Sequence, residues 1–206
     1  MNEQTGQIFT QDWFSRSVPA WTAVLGGLAK RNPALRVLEV GVFEGRSTCW
    51  LLENFCKTAE CGIVAVDSFA GGEEHRGMDL GGLRGRFEAN VAAVGSACPV
   101  EVRQGDSLGE LARLVVEEPV RAFDFISIDA SHRACDVIGD AVLAFRLLKR
   151  GGVMAFDDYL WSPFKPGSED PLSTPKMAVD AFTTLFARQA RVLAGLPIYQ
   201  LYVQKF

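Results

Sequence analysis

Arg36-Val37-Leu38-Glu39-Val40-Gly41-Val42-Phe43-Glu44-Gly45-Arg46-Ser47 reads as a buried strand, a glycine-bearing turn and the start of a helix. Apolar residues run up to Val40, two glycines flank a short loop, and Ser47 opens the apolar pattern Cys49, Trp50, Leu51, Leu52. A strand that feeds a helix N-terminus makes a ligand shelf, because the first-turn N–H groups have no partner inside the helix. Glu39, near the strand end, adds a carboxylate to it.

A dinucleotide with its pyrophosphate needs Gly-x-Gly-x-x-Gly, whose second glycine lets the backbone approach the phosphates. Here Phe43 holds the second position and Arg46 the third. A nucleoside-like ligand without a pyrophosphate, carrying a cation for Glu39 to meet, suits the shelf better, and S-adenosylmethionine has that description. A tight βα turn with no ligand reads the same residues equally well.

The rest of the chain repeats the alternation. Trp13, Phe14, Val18, Trp21, Val24, Leu25 and Leu28 have helical spacing after a turn at 15–19, and Asn32-Pro33 ends that helix. Its two tryptophans read as packing residues, although a leading segment also has the place of a lid. A second strand, Gly62 to Asp67, ends on an acid 28 residues after Glu39, one βαβ unit, and an acid there suits ribose hydroxyls. Glu73, Glu74 and His75 in the following glycine-rich loop read as solvated rather than as metal ligands.

A helix from about Leu80 to Val94 leads to a third strand, Val100 to Arg103, and Ser107 with Glu110 has capping-box spacing, which leaves the Asp106 carboxylate free. A fourth strand, Ala122 to Asp129, runs into Ala130-Ser131-His132. A helix follows, stopped by Lys149-Arg150-Gly151-Gly152. A fifth strand, Val153 to Phe156, ends in Asp157-Asp158, and after the proline-containing loop 161–175 come a helix over about 176–187 and two last strands, 192–194 and 199–203.

This alternation predicts an α/β fold, a Rossmann-like doubly wound, mainly parallel sheet with helices on both faces. Ligands bind such sheets outside the carboxyl ends of the strands. Glu39, Asp67, Asp106, Asp129, Asp157 and Asp158 close five successive strands, so folding gathers them at one edge.

Composition sets the bounds. The 206 residues, 48% of them hydrophobic, form one domain: a core over 35–206 preceded by a helical segment over 1–34 that packs on the site or caps it. A net charge of −4 offers no basic field for nucleic acid. No apolar run approaches the roughly 18 residues that span a bilayer, so neither membrane nor secretion is expected. Five cysteines without Cys-x-x-Cys spacing read as reduced thiols of a cytoplasmic protein.

The motifs at Glu39, Gly41, Gly45 and Ser47, at Val66-Asp67-Ser68, at Gly105-Asp106-Ser107, at Ile128-Asp129 with His132, and at Phe156-Asp157-Asp158-Tyr159 resemble those of class I S-adenosylmethionine-dependent methyltransferases. The likeness is to the small metal-assisted O-methyltransferases of the catechol and caffeoyl-CoA type, in particular to bacterial members with the Gly-Gly-Glu-Glu-His loop found at 71–75. It implies seven strands, the last antiparallel. It also implies that Glu39, Gly41 and Ser47 hold the methionine part of the cofactor, Asp67 the ribose, and Asp106 with Ser107 the adenine. Val42, Phe43, Ser68 and Asp129 complete that cofactor set.

Relatives that use a metal hold it with an Asp after the fourth strand and an Asp-Asn pair after the fifth. The matching residues are Asp129, Asp157 and Asp158, with Asp158 in place of Asn. Carboxylates suit Mg²⁺, with Mn²⁺ or Ca²⁺ as alternatives. His132 stands where catechol-type relatives carry a basic lysine, which makes it the expected general base toward a small-molecule hydroxyl such as that of a sugar, macrolide or phenol. The competing readings are a cofactor-binding module without catalysis and a nicotinamide oxidoreductase. A homodimer is left open.

Overall fold

A computed structural model describes residues 6–206, except 73, 74, 76, 119, 120, 166, 167 and 169. Seven strands form one sheet in the order β3-β2-β1-β4-β5-β7-β6. They are β1 (Arg36–Val40), β2 (Gly62–Asp67), β3 (Val100–Gln104), β4 (Phe123–Ile128), β5 (Leu148–Phe156), β6 (Ala190–Val192) and β7 (Leu201–Lys205). The first five are parallel, and β7 runs antiparallel to both β5 and β6. The final two strands lie about two residues away from where hydropathy puts them. β5 starts at Leu148, ahead of the glycine pair, through an irregularity in its pairing with β4.

Strand alternation sorts the sheet into two faces. Leu38 and Val40 of β1 pack with helices α4 (Ser107–Glu117), α5 (Ala134–Leu147) and α6 (Pro175–Leu185). Val37 points the other way, into a core with α1 (Val18–Ala29) and α2 (Arg46–Asn54), and α3 (Leu83–Val94) adds Leu83 and Phe87 beside them. Trp21 is fully buried there and donates from Nε1 to Gln200 Oε1 at 3.0 Å. No helix among the described residues is long and apolar enough to cross a membrane.

The strand order reverses between β1 and β4, and this switch point places Gly41 against Asp129. The Asp129 amide donates to the Val40 carbonyl at 2.7 Å, and the Gly41 amide to the Val66 carbonyl at 2.8 Å. Gly41 has φ +87°, and a Cβ there would collide with the Asp129 carbonyl oxygen.

Candidate active site

A cavity of about 960 Å³ opens along the carboxyl edge of the sheet. Gly41, Val42, Phe43, Ser47, Asp67, Ser68, Asp106, Ser107 and Asp129 line it, as do His132, Asp157 and Asp158. Of the residues expected to hold cofactor or metal or to act as base, Glu39 alone stays outside the lining. Period-two alternation turns it toward the face that carries Val37, where it is buried beneath α2 and accepts from Ser47 Oγ at 2.6 Å and Thr48 Oγ1 at 2.7 Å. Burial pushes its carboxyl up to about 7, against the pull of both hydroxyls. Glu39 thus anchors the first turn of α2 through Ser47 and Thr48.

Asp67 is tied to the glycine turn. Its Oδ2 accepts from the amides of Val42 at 2.7 Å and Phe43 at 2.9 Å, and its Oδ1 from the Phe69 amide at 2.7 Å. An ionised carboxylate offers about four acceptor sites, so roughly one remains for a ribose hydroxyl. Asp106 is not free either. It is the N-cap of α4, accepting from the Gly109 amide at 2.8 Å, while Glu110 bonds Arg113. The capping box over Ser107 and Glu110 does not form, because the cap lies one residue earlier and the Asp106 carboxylate competes best for the first-turn N–H groups.

Behind Ser107 sits Asp140 of α5, 1% exposed. Burial raises it to about 7, helped by the charges of Asp136 and Asp106, with the Ser107 hydroxyl acting in the opposite direction. Between about pH 4 and 7 the folded chain keeps a proton here that the unfolded chain has released, so stability falls as pH rises through this window. In urea unfolding, Asp140→Asn should gain about 2–4 kcal/mol on wild type between pH 5 and pH 8. Glu39 and Asp157, also raised, are common to both proteins and cancel from that difference. An equal difference at both pH values would mean that Asp140 is ionised throughout.

Past the ends of β4 and β5 the acids meet a histidine. Ligand atoms of Asp129, His132 and Asp158 all lie within 4.8 Å of one another. The trio differs from the expected Asp129, Asp157 and Asp158. Asp157 lines the cavity outside this trio: its Oδ1 accepts from the Asp158 amide at 2.8 Å, and burial with the Asp158 charge raises it to about 6 while Gln200 opposes. Asp158 adopts φ +52°, a left-handed conformation that Asp and Asn tolerate better than most residues, which gives the Asp-for-Asn exchange a backbone reason. His132 Nε2 lies 2.9 Å from Asp158 Oδ2, and its ring stacks on Trp161 at 4.0 Å. The Tyr199 hydroxyl donates to Asp158 Oδ1, and Arg16, 3.5 Å over the Tyr199 ring, approaches the same oxygen at 3.4 Å.

The leading segment does more than pack. Phe9, Gln11, Trp13, Phe14 and Arg16 all line the cavity. Asn90 bonds both backbone groups of Ile8, at 2.7 and 2.8 Å, and buried Glu44 accepts from Thr10 N at 2.6 Å, Thr10 Oγ1 at 2.9 Å and Arg86 Nε at 3.0 Å. Phe43 (φ +49°) stacks on His75 at 5.1 Å and meets Trp13 at 5.0 Å, so His75 belongs to the cavity wall rather than to a solvated loop. Glu73 and Glu74 lie outside the described residues. Arg16, Glu44 and Tyr199 carried no sequence signal, since each acts through a partner at least 34 positions away.

Comparison with known proteins agrees with this architecture. A family model described as a methyltransferase domain matches residues 38–159. Tricin synthase 1 of Oryza sativa subsp. japonica is 30% identical over 154 residues, covering 72% of this chain and 55% of its own. The chain spans about half the length of the curated relatives it matches. Two solved structures share the fold. An O-methyltransferase from Bacillus cereus in complex with SAH has a TM-score of 0.62 at 23% identity, covering 91% of this chain and 81% of that one. The MycE methyltransferase of the mycinamycin biosynthetic pathway, in complex with Mg and SAH, has a TM-score of 0.59 at 18% identity, over 96% of this chain and 51% of that one.

Proposed function

This chain belongs to the methyltransferase-domain family, and from that premise we propose that it is an S-adenosylmethionine-dependent O-methyltransferase acting on a small-molecule hydroxyl of a sugar, macrolide or phenol. The observation that carries this reading is one cavity lined both by Gly41, Asp67 and Ser107 and by the trio Asp129, His132 and Asp158.

S-adenosylmethionine supplies an electrophilic methyl on a sulfonium. Gly41 to Phe43 and Ser47 would hold its methionine part, Asp67 and Ser68 the ribose, and Asp106 and Ser107 the adenine. The carboxylates of Asp129 and Asp158 suit a divalent ion such as Mg²⁺ or Mn²⁺, which would lower the pKa of a nearby hydroxyl and leave the imidazole of His132 beside them for the proton. Methyl transfer to an oxygen requires that oxygen to lose its proton. His132 is the proposed acceptor of that proton, and the Asp158 carboxylate 2.9 Å from its Nε2 would stabilise the imidazolium. Trp161 holds the ring plane, and Arg16 with Tyr199 holds Asp158 from the opposite side. The five free thiols support a cytoplasmic setting.

The test is transfer of labelled methyl from S-adenosylmethionine to a panel of sugar, macrolide and catechol acceptors, with Mg²⁺, with Mn²⁺ and after exhaustive chelation. Divalent-dependent product is the expected result. Transfer that survives chelation removes the metal, cofactor binding without any product favours the non-catalytic module, and absence of cofactor binding defeats the reading.

A further inference from the structure

A second hollow, about 430 Å³, adjoins the cavity and shares its Trp161 wall. Leu160, Met177 and Pro171 line it, with Tyr159, Lys176 and Asp180 on one side. Leu160 is 48% and Met177 46% exposed, so apolar side chains face water around a concave surface instead of packing inward. The polar side is closed on itself. Asp180 accepts from the Tyr159 hydroxyl at 2.7 Å and from Lys176 Nζ at 2.5 Å, and that ammonium also stands 5.0 Å from the Tyr159 ring. Among the described residues the hollow therefore presents apolar surface and one ion pair, Lys176 with Asp180.

We propose that this hollow is a subsite for the neutral apolar body of the acceptor, whose reacting hydroxyl lies beyond Trp161 at His132. The inference rests on the proposed function, which puts the acceptor hydroxyl there. Trp161 forms the hinge of the argument: its ring packs on His132 at 4.0 Å and also lines the hollow. An acceptor seated at His132 that is longer than one ring has this hollow beside it. A charged extension would have to shed its hydration against the apolar lining.

Calorimetric binding of catechol and of its 4-methyl, 4-propyl and 4-hexyl derivatives to the full chain tests this directly. Affinity should rise roughly two- to fourfold per methylene as apolar surface is buried. A six-carbon tail that ends in a carboxylate should lose most of that gain. In a double variant, Leu160→Ser with Met177→Ser, the dependence on chain length should flatten while the affinity of catechol itself is retained. Both positions are half exposed, so the fold tolerates the change. A flat series in the wild-type protein, a series unchanged in the double variant, or no binding of any member overturns the subsite. Methyl transfer followed on the same compounds separates the two ideas: a preserved length dependence without product supports the hollow and counts against the proposed reaction.

Discussion

Turnover of His132→Ala is expected to fall by about 10²–10⁴-fold while calorimetric affinity for S-adenosylhomocysteine stays at the wild-type level. The imidazole sits between Asp158, 2.9 Å from its Nε2, and the Trp161 ring, and it is not among the residues proposed to hold the cofactor. Removing it should cost the proton acceptor and leave cofactor binding alone. A merely structural histidine would also lower activity if its loss let Trp161 or Asp158 drift. His132→Gln separates the two roles, since it keeps a polar group beside Asp158 and most of the volume but holds no proton near neutrality. Both variants should lose the acidic limb of the pH–rate profile. Near-wild-type turnover in the glutamine variant would make His132 a packing residue.

Gly41→Ala should destabilise the fold by about 2–5 kcal/mol in urea unfolding and weaken cofactor binding in whatever fraction folds. The new Cβ would lie 2.5 Å from the Asp129 carbonyl carbon and 2.9 Å from Ala130 Cα, in a backbone at φ +87°. These neighbours are backbone atoms of the parallel strand pair at the switch point, so relief requires moving the end of β4 and Asp129 with it. Gly45→Ala makes the comparison. It shares the positive φ, yet its Cβ meets the Phe87 ring at 2.7 Å, so relief needs a buried side chain to repack but no strand end to move. Its cost should be smaller. Equal stability of Gly41→Ala and wild type would mean that the close approach of β1 and β4 is not required.

The alternation of apolar runs with glycine or proline stops made the parallel sheet legible, because each element's period is a local property. The row of acids was legible for the same reason: each closes a strand, and parallel strands end on one edge. What failed were directions and partners. Glu39 sits one residue before the end of β1, and period two sends it under α2 to Ser47 and Thr48. Asp106 and Ser107 both qualify as caps by composition, and only backbone geometry selects Asp106. Asp157 and Asp158 are neighbours in sequence, but with left-handed backbone at Asp158 the first bonds the Asp158 amide and only the second reaches His132.

By itself, then, the sequence determined the sheet of alternating elements, the edge on which its acids collect and a glycine turn that departs from the dinucleotide fingerprint at Phe43 and Arg46. Those follow from periodicity and from the steric demands of a turn, which need no knowledge of distant residues. Tertiary structure alone decided which of the acids face the cavity. It decided that His132 joins Asp129 and Asp158, and that Arg16, Glu44 and Tyr199 reach the site from segments the chain order keeps far apart. Such contacts depend on how helices and loops close over the sheet, and no local pattern encodes that closure.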